Sequence, residues 1–169
     1  MKKVFLVAFI VIFIGLVFPA ASLIPVDKAS CNDWNHQTFW YEPWGSSGVH
    51  KGIDIFAKND TPVVAATSGI VLYSGTLAKG GNVIAILGPK WSIYYYAHLS
   101  VISDNATGWV TQGTHIGKVG STGNAKGKPA HLHYSVLSLF PYVWNITTET
   151  QGWKKAVYLD PASTFVACD

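Results

Sequence analysis

From Asp54 onward, short apolar runs alternate with Gly, Asn, Asp and Pro at intervals typical of all-β proteins. The pattern predicts strands over residues 63–66, 69–74, 83–87, 91–97, 116–119 and 131–137, with Leu87-Gly88-Pro89-Lys90 as the turn of a hairpin. No segment of this region repeats its apolar residues at the helical period. The expected architecture is therefore all-β, with antiparallel sheets forming an open groove. Residues 23–37 carry no such pattern and read as a short tail before a single domain over residues 38–169. There is no internal repeat.

The N-terminal end follows a different rule. Lys2 and Lys3 precede an uncharged run over residues 4–25 that is most apolar between Val4 and Phe18, and small residues Ala20-Ala21-Ser22 follow. A basic start, an apolar stretch and a small-residue site fit a secretory signal peptide over residues 1–22, cut after Ser22 or nearby. The same run, left uncleaved, has the length of a membrane anchor. Either reading exports the domain, to the periplasm or the extracellular space or onto the outer face of the inner membrane. In an oxidising compartment Cys31 and Cys168 are expected to be bridged. Closing so long a loop stabilises by about 4 to 5 kcal/mol in the chain-entropy view.

Charge narrows the partners. The formal charge of +3 falls to +1 when Lys2 and Lys3 leave with residues 1–22, which gives no case for nucleic-acid binding. The remaining length of about 147 residues suits one domain, expected to be monomeric.

Candidate chemistry lies in the histidines. His50 and Asp54 stand four residues apart in His50-Lys51-Gly52-Ile53-Asp54, and His131 and His133 flank Leu132. His98 closes the aromatic run Trp91-Ser92-Ile93-Tyr94-Tyr95-Tyr96-Ala97-His98. Two imidazoles and a carboxylate can hold one zinc ion with a position left for water, and two further imidazoles can then move protons. On a strand, alternation puts His131 and His133 on one face and His98 on the same face as Tyr96 and Tyr94. Gly52 argues for an extended or looped setting around Asp54, with the carboxylate delivered by a turn. These residue types do not by themselves decide which histidines bind metal.

The motifs HxxxD (His50 to Asp54), YxHL (Tyr96-Ala97-His98-Leu99) and HxH (His131 to His133) occur in an order and spacing that resembles the M23 zinc metallopeptidases, the lysostaphin-like peptidoglycan endopeptidases. Thr61-Pro62-Val63-Val64-Ala65-Ala66, Gly120-Ser121-Thr122-Gly123-Asn124 and Leu159-Asp160-Pro161 extend the likeness over residues 42–165. The resemblance implies that His50, Asp54 and His133 hold one Zn2+. It further implies that His98 and His131 are the catalytic pair and that peptidoglycan is the partner. It also implies the β groove already expected.

Departures concern substrate contacts. The chain has no arginine, and Tyr41 is the nearest equivalent to the Arg or Tyr that many relatives place before the first ligand. Ser135 stands where the family commonly has Glu after HLHF. Tyr96 is expected to line the groove beside His98, and Lys126 and Lys128 make the loop before His131 basic. Two rivals stand beside the endopeptidase reading. One is a non-catalytic M23-like binding or activator module, a class that usually lacks ligands. The other is a sugar-transport phosphocarrier, disfavoured by export and by the carboxylate of Asp54.

Overall fold

The computed structural model describes residues 2–17 and 20–168, so Phe18 and Pro19 of the apolar run lie outside the described residues. Among the described residues ten strands make two antiparallel sheets. The larger sheet has the order β1 (Ile53–Phe56), β9 (His131–Ser138), β5 (Ser92–Leu99), β4 (Gly81–Gly88), β3 (Gly69–Leu77) and β7 (Trp109–Val110), and β10 (Tyr158–Leu159) pairs with the far end of β9. The smaller sheet is β2 (Pro62–Val64), β8 (His115–Lys118) and β6 (Val101–Ile102). All six expected strands are present in outline. The expected hairpin turn is a 3-10 turn over Pro89–Trp91 that joins β4 to β5.

Alternation sorts the large sheet into two faces. Ile53 and Ile55 of β1, Leu132, Tyr134 and Val136 of β9, Tyr94 and Tyr96 of β5, and Ile84 and Ile86 of β4 are all buried in the core. Val63, Ile116 and Val119 meet them from the region of the smaller sheet. The opposite face presents Asp54 and Phe56 of β1, His131, His133, Ser135 and Leu137 of β9, and Tyr95 and Ala97 of β5 to an open groove. Two residues apart on one strand is one face, which is why HxH delivers both imidazoles to the same side.

Three expectations are corrected. Asp54 lies within a strand, not on a turn, and pairs directly with His133. Gly52, read as a breaker, permits that pairing, because a Cβ there would fall 2.4 Å from the Tyr134 carbonyl oxygen and from Ser135 Oγ. Residues 23–37 are not a free tail. Val26 and Trp34 are buried in the core, Val26 bridges to Val63, and Cys31 is disulfide-bonded to Cys168. Ser22 is also buried, its N–H donating to the Thr164 carbonyl at 2.9 Å and its own carbonyl accepting from Val166 N–H at 3.1 Å.

The third correction concerns Tyr96. Ile84 pairs with Tyr96 and Asn82 with Leu99, so β5 has one residue more than β4 between those pairs, a β-bulge at Ala97-His98. His98 takes φ +66°, and this left-handed residue turns its side chain out of the core face that Tyr94 and Tyr96 occupy. Tyr96 is 0% exposed and its hydroxyl accepts from Ala66 N–H at 2.9 Å. It is a core residue that joins strand β5 to the segment after β2, and it does not line the groove.

At the N-terminus, α1 (Lys2–Val17) lies against the Pro89–Trp91 turn, with Trp91 Nε1 donating to the Ile12 carbonyl at 3.0 Å. Its described side chains are largely exposed and apolar. Among the described residues no helix is long and apolar enough to cross a membrane.

Candidate metal centre

The groove has a volume of about 810 Å³ and carries all five singled-out side chains along its wall. His50 precedes β1, Asp54 lies within it, and His133 faces Asp54 across the β1–β9 ladder. His50 Nε2 is 3.1 Å from Asp54 Oδ1 and 3.1 Å from His133 Nδ1, and His133 Nδ1 is 2.8 Å from Asp54 Oδ1. Among the described residues these three form the group that can hold a metal ion.

The proton inventory tests whether a cation fits. A carbonyl can only accept, so His50 Nδ1, 3.0 Å from the Thr38 carbonyl, must carry the imidazole proton. That leaves a lone pair on Nε2. His133 Nε2 lies 2.9 Å from Ser135 Oγ, a hydroxyl that can accept its N–H, and in that tautomer Nδ1 presents its lone pair. A neutral pair of rings thus aims two lone pairs at a carboxylate oxygen within one small triangle. Tetrahedral zinc with donors at about 2.0 to 2.2 Å spaces neighbouring donors by roughly 3.4 Å. The observed triangle needs only a slight opening, so the donor set fits.

Asp54 is ready as an anion. Burial raises its carboxyl, but when the facing nitrogens of His133 and His50 carry protons their hydrogen bonds and charge outweigh this and hold it well below the usual carboxylate range. A bound cation takes the place of those protons and leaves both nitrogens as lone-pair donors. Trp44 stacks on the other side of His50, ring centroids 4.0 Å apart and planes at 21°, which fixes the imidazole plane. Neighbours that hold a ligand's ring in place in this way orient it toward a metal.

The remaining two histidines stand beside this triangle. His98 Nδ1 donates to the Thr122 carbonyl at 2.9 Å and His131 Nδ1 to the Pro129 carbonyl at 2.8 Å, so each keeps its Nε2 lone pair unprotonated when neutral. His131 Nε2 is 3.8 Å from Asp54 Oδ2, and the His98 ring centroid lies 5.1 Å from that of His131 and 5.9 Å from that of His133. Burial first, then the neighbouring His133 and His131, lowers the His98 pKa to about 4. His98 is therefore a neutral base at pH 7.

The structure thus gathers His50, Asp54, His98, His131 and His133 in one groove and leaves the two tyrosines out. Tyr41 is 53% exposed and packs edge-on against Trp44, which itself takes the lining position. Ser135, noted from the sequence only as a departure from the family's Glu, is a hydrogen-bond partner of His133, which its place two residues later on the same strand face made findable. Trp44 was open to a groove role as an aromatic residue shortly before His50, and it does line the groove. The carbonyls of Thr38, Thr122 and Pro129 gave no such signal, because loop conformation brings them in.

A β groove with a His/Asp/His donor triangle and two further imidazoles beside it is an arrangement that can hold a metal ion next to two bases. The sequence profile of peptidase family M23 matches residues 48–143, and the chain belongs to that family. It is 42% identical over 86 residues to the DD-carboxypeptidase/endopeptidase Mpg of Neisseria meningitidis serogroup B, covering 51% of this chain and 19% of that one. It is 36% identical over 93 residues to the peptidoglycan DD-endopeptidase ShyC of Vibrio cholerae, covering 55% and 21%. The chain thus matches about a fifth of the length of these relatives. The catalytic domain of lysostaphin from Staphylococcus simulans superposes with a TM-score of 0.55 at 28% identity, covering 72% of this chain and 83% of that one. The all-β fold is that of lysostaphin-like catalytic domains.

Proposed function

We propose that this chain is an exported zinc-dependent endopeptidase that hydrolyses amide bonds in peptidoglycan stem peptides or cross-links. The observation that carries the reading is the set of three donor atoms within 3.1 Å of one another beside two imidazoles with free Nε2 lone pairs. The names of the relatives supply the substrate class. All five positions of the M23 pattern are filled, and nothing in the groove favours a non-catalytic module.

His50, Asp54 and His133 would hold the zinc. Zinc in such a site lowers the pKa of water and polarises a carbonyl. The protein's own part is proton management. His98, neutral at pH 7, accepts a proton at Nε2 from the attacking water and returns it to the departing amine. His131, protonated at Nδ1 by its bond to Pro129, offers Nε2 as the second transfer point and, once protonated there, donates to the developing oxyanion. The groove is open along its length, so an extended peptide can lie across the centre.

Export follows from the apolar N-terminal segment and is consistent with the Cys31–Cys168 bridge. The bonds of Ser22 to Thr164 and Val166 favour processing ahead of Ser22, which keeps that residue in the domain. The test is to incubate the zinc-loaded protein with sacculi, with and without chelator, and to analyse released muropeptides. New amine termini that vanish with chelator are expected. A zinc-loaded protein that releases none contradicts the enzyme reading.

A further inference from the structure

We infer that Lys51, Lys79 and Lys128 read carboxylates on the substrate, so that the groove prefers an acidic stem peptide over a neutral bridge of the oligoglycine kind. This rests on the peptidoglycan hydrolase reading.

Three separate segments each bring one lysine to the groove wall. Lys51 follows the ligand His50, Lys79 sits in the β3–β4 turn, and Lys128 lies in the loop before β9. Asp54 is the one acidic residue lining the same groove, and it is committed to His50 and His133. Lys51 Nζ donates to the Ser47 carbonyl at 2.9 Å and Lys79 Nζ to Ser46 Oγ at 3.0 Å, which holds both ammonium groups at the turn beside Trp44. The Lys128 ammonium, also on the groove lining, makes no hydrogen bond or ion pair to the described residues. Among those residues Lys155, paired with Glu149, is the lysine in an ion pair, and it does not line this groove.

Overall charge does not explain this cluster. The chain has 12 basic and 9 acidic residues, so a near-neutral protein concentrates unpaired positive charge at one site. A groove lined by one sign of charge concentrates ligands of the other. The apolar lining from Trp44, Phe56, Tyr95, Leu137 and Tyr158 is indifferent to charge and suits the peptide's uncharged parts.

The experiment measures kcat/KM of the zinc-loaded full chain on three synthetic substrates. These are a cross-linked stem-peptide dimer with free carboxylates, the same dimer with its carboxylates amidated, and pentaglycine. The triple variant K51M/K79M/K128M, checked for one bound zinc and an unchanged Tm, is run in parallel. At about 0.2 to 1 kcal/mol per exposed charge pair, three contacts predict a preference for the free dimer of roughly 3- to 150-fold over the amidated one. That ratio is expected to shrink with added salt and to approach one in the triple variant. Equal kcat/KM on the two dimers, faster cleavage of pentaglycine, or a preference that survives the triple substitution overturns the lysine assignment while leaving the hydrolase reading intact. No cleavage of any of the three overturns the hydrolase reading, and the lysine assignment with it.

Discussion

Asp54 and His133 face each other as direct partners of the β1–β9 ladder, with Oδ1 2.8 Å from Nδ1. Sheet register alone therefore sets two of the three donors, and the third, His50, is placed by the short segment that leads into β1. A donor pair held by backbone pairing is rigid before any ion arrives. Replacing Asp54 with Ala leaves two imidazoles and no charge to offset the cation. D54A is expected to retain less than about 0.1 equivalent of zinc after dialysis and to lose more than roughly 10³-fold in activity. Elemental analysis of the dialysed protein checks the first, and muropeptide release the second.

Ser135 tests whether the group behind a ligand tunes its grip on the metal. Its hydroxyl, 2.9 Å from His133 Nε2, is placed to accept the N–H of that nitrogen and so leave Nδ1 free for the metal. S135A is expected to weaken zinc binding by about 10- to 100-fold with little change in thermal stability of the metal-free protein. Competition with a chromophoric chelator measures this, and unchanged affinity would remove Ser135 from the centre.

His98 and His131 should separate binding from turnover. Neither belongs to the donor triangle, so H98A and H131A are expected to keep one zinc per chain while kcat falls by about 10² to 10⁴. Loss of zinc in either variant would instead make that histidine a ligand.

Acid stability should carry the signature of His98. Its pKa drops from 6.5 to about 4 on folding, so between those values the unfolded chain binds a proton that the folded protein refuses. Stability from this group is complete above about pH 6.5 and is lost as pH falls toward about 4. Asp54, also held below its unfolded value, adds a further loss beneath about pH 3.8. In the presence of chelator, the urea midpoint should fall from pH 7 to pH 4, with a shallower slope in H98N. An identical slope in the variant would show that His98 is not the group responsible.

The Cys31–Cys168 bridge spans 137 residues and ties residues 23–37 to the C-terminal segment. Reduction, or the pair C31S/C168S, is expected to cost about 2 to 5 kcal/mol of unfolding free energy. Denaturant titration with and without reductant reads this directly.

Much of this centre was legible before folding was known, and the gaps have physical causes. HxxxD and HxH declare themselves because covalent spacing on a strand fixes their faces. His98 was found by its motif, yet its strand parity was misread, because a one-residue bulge against Val83 is invisible until the partner strand is known. The error carried Tyr96 into the groove and left Tyr95 and Ala97 unnoticed there. Strand β1 was missed because glycine counts against a strand locally, whereas Gly52 is demanded by a contact with Tyr134 far away in sequence. Residues 23–37 looked like a tail for the same reason. Their order comes from Val63, Phe165 and Cys168, none of which is near in the chain.

X-ray absorption at the zinc edge of the active protein tests the central claim most directly. The account predicts one zinc per chain, with two imidazole nitrogens and a carboxylate oxygen at about 2.0 to 2.2 Å, no sulfur, and a first shell that changes in D54A. A protein that cleaves peptidoglycan without bound metal, or a zinc shell unaffected by loss of Asp54, would contradict it.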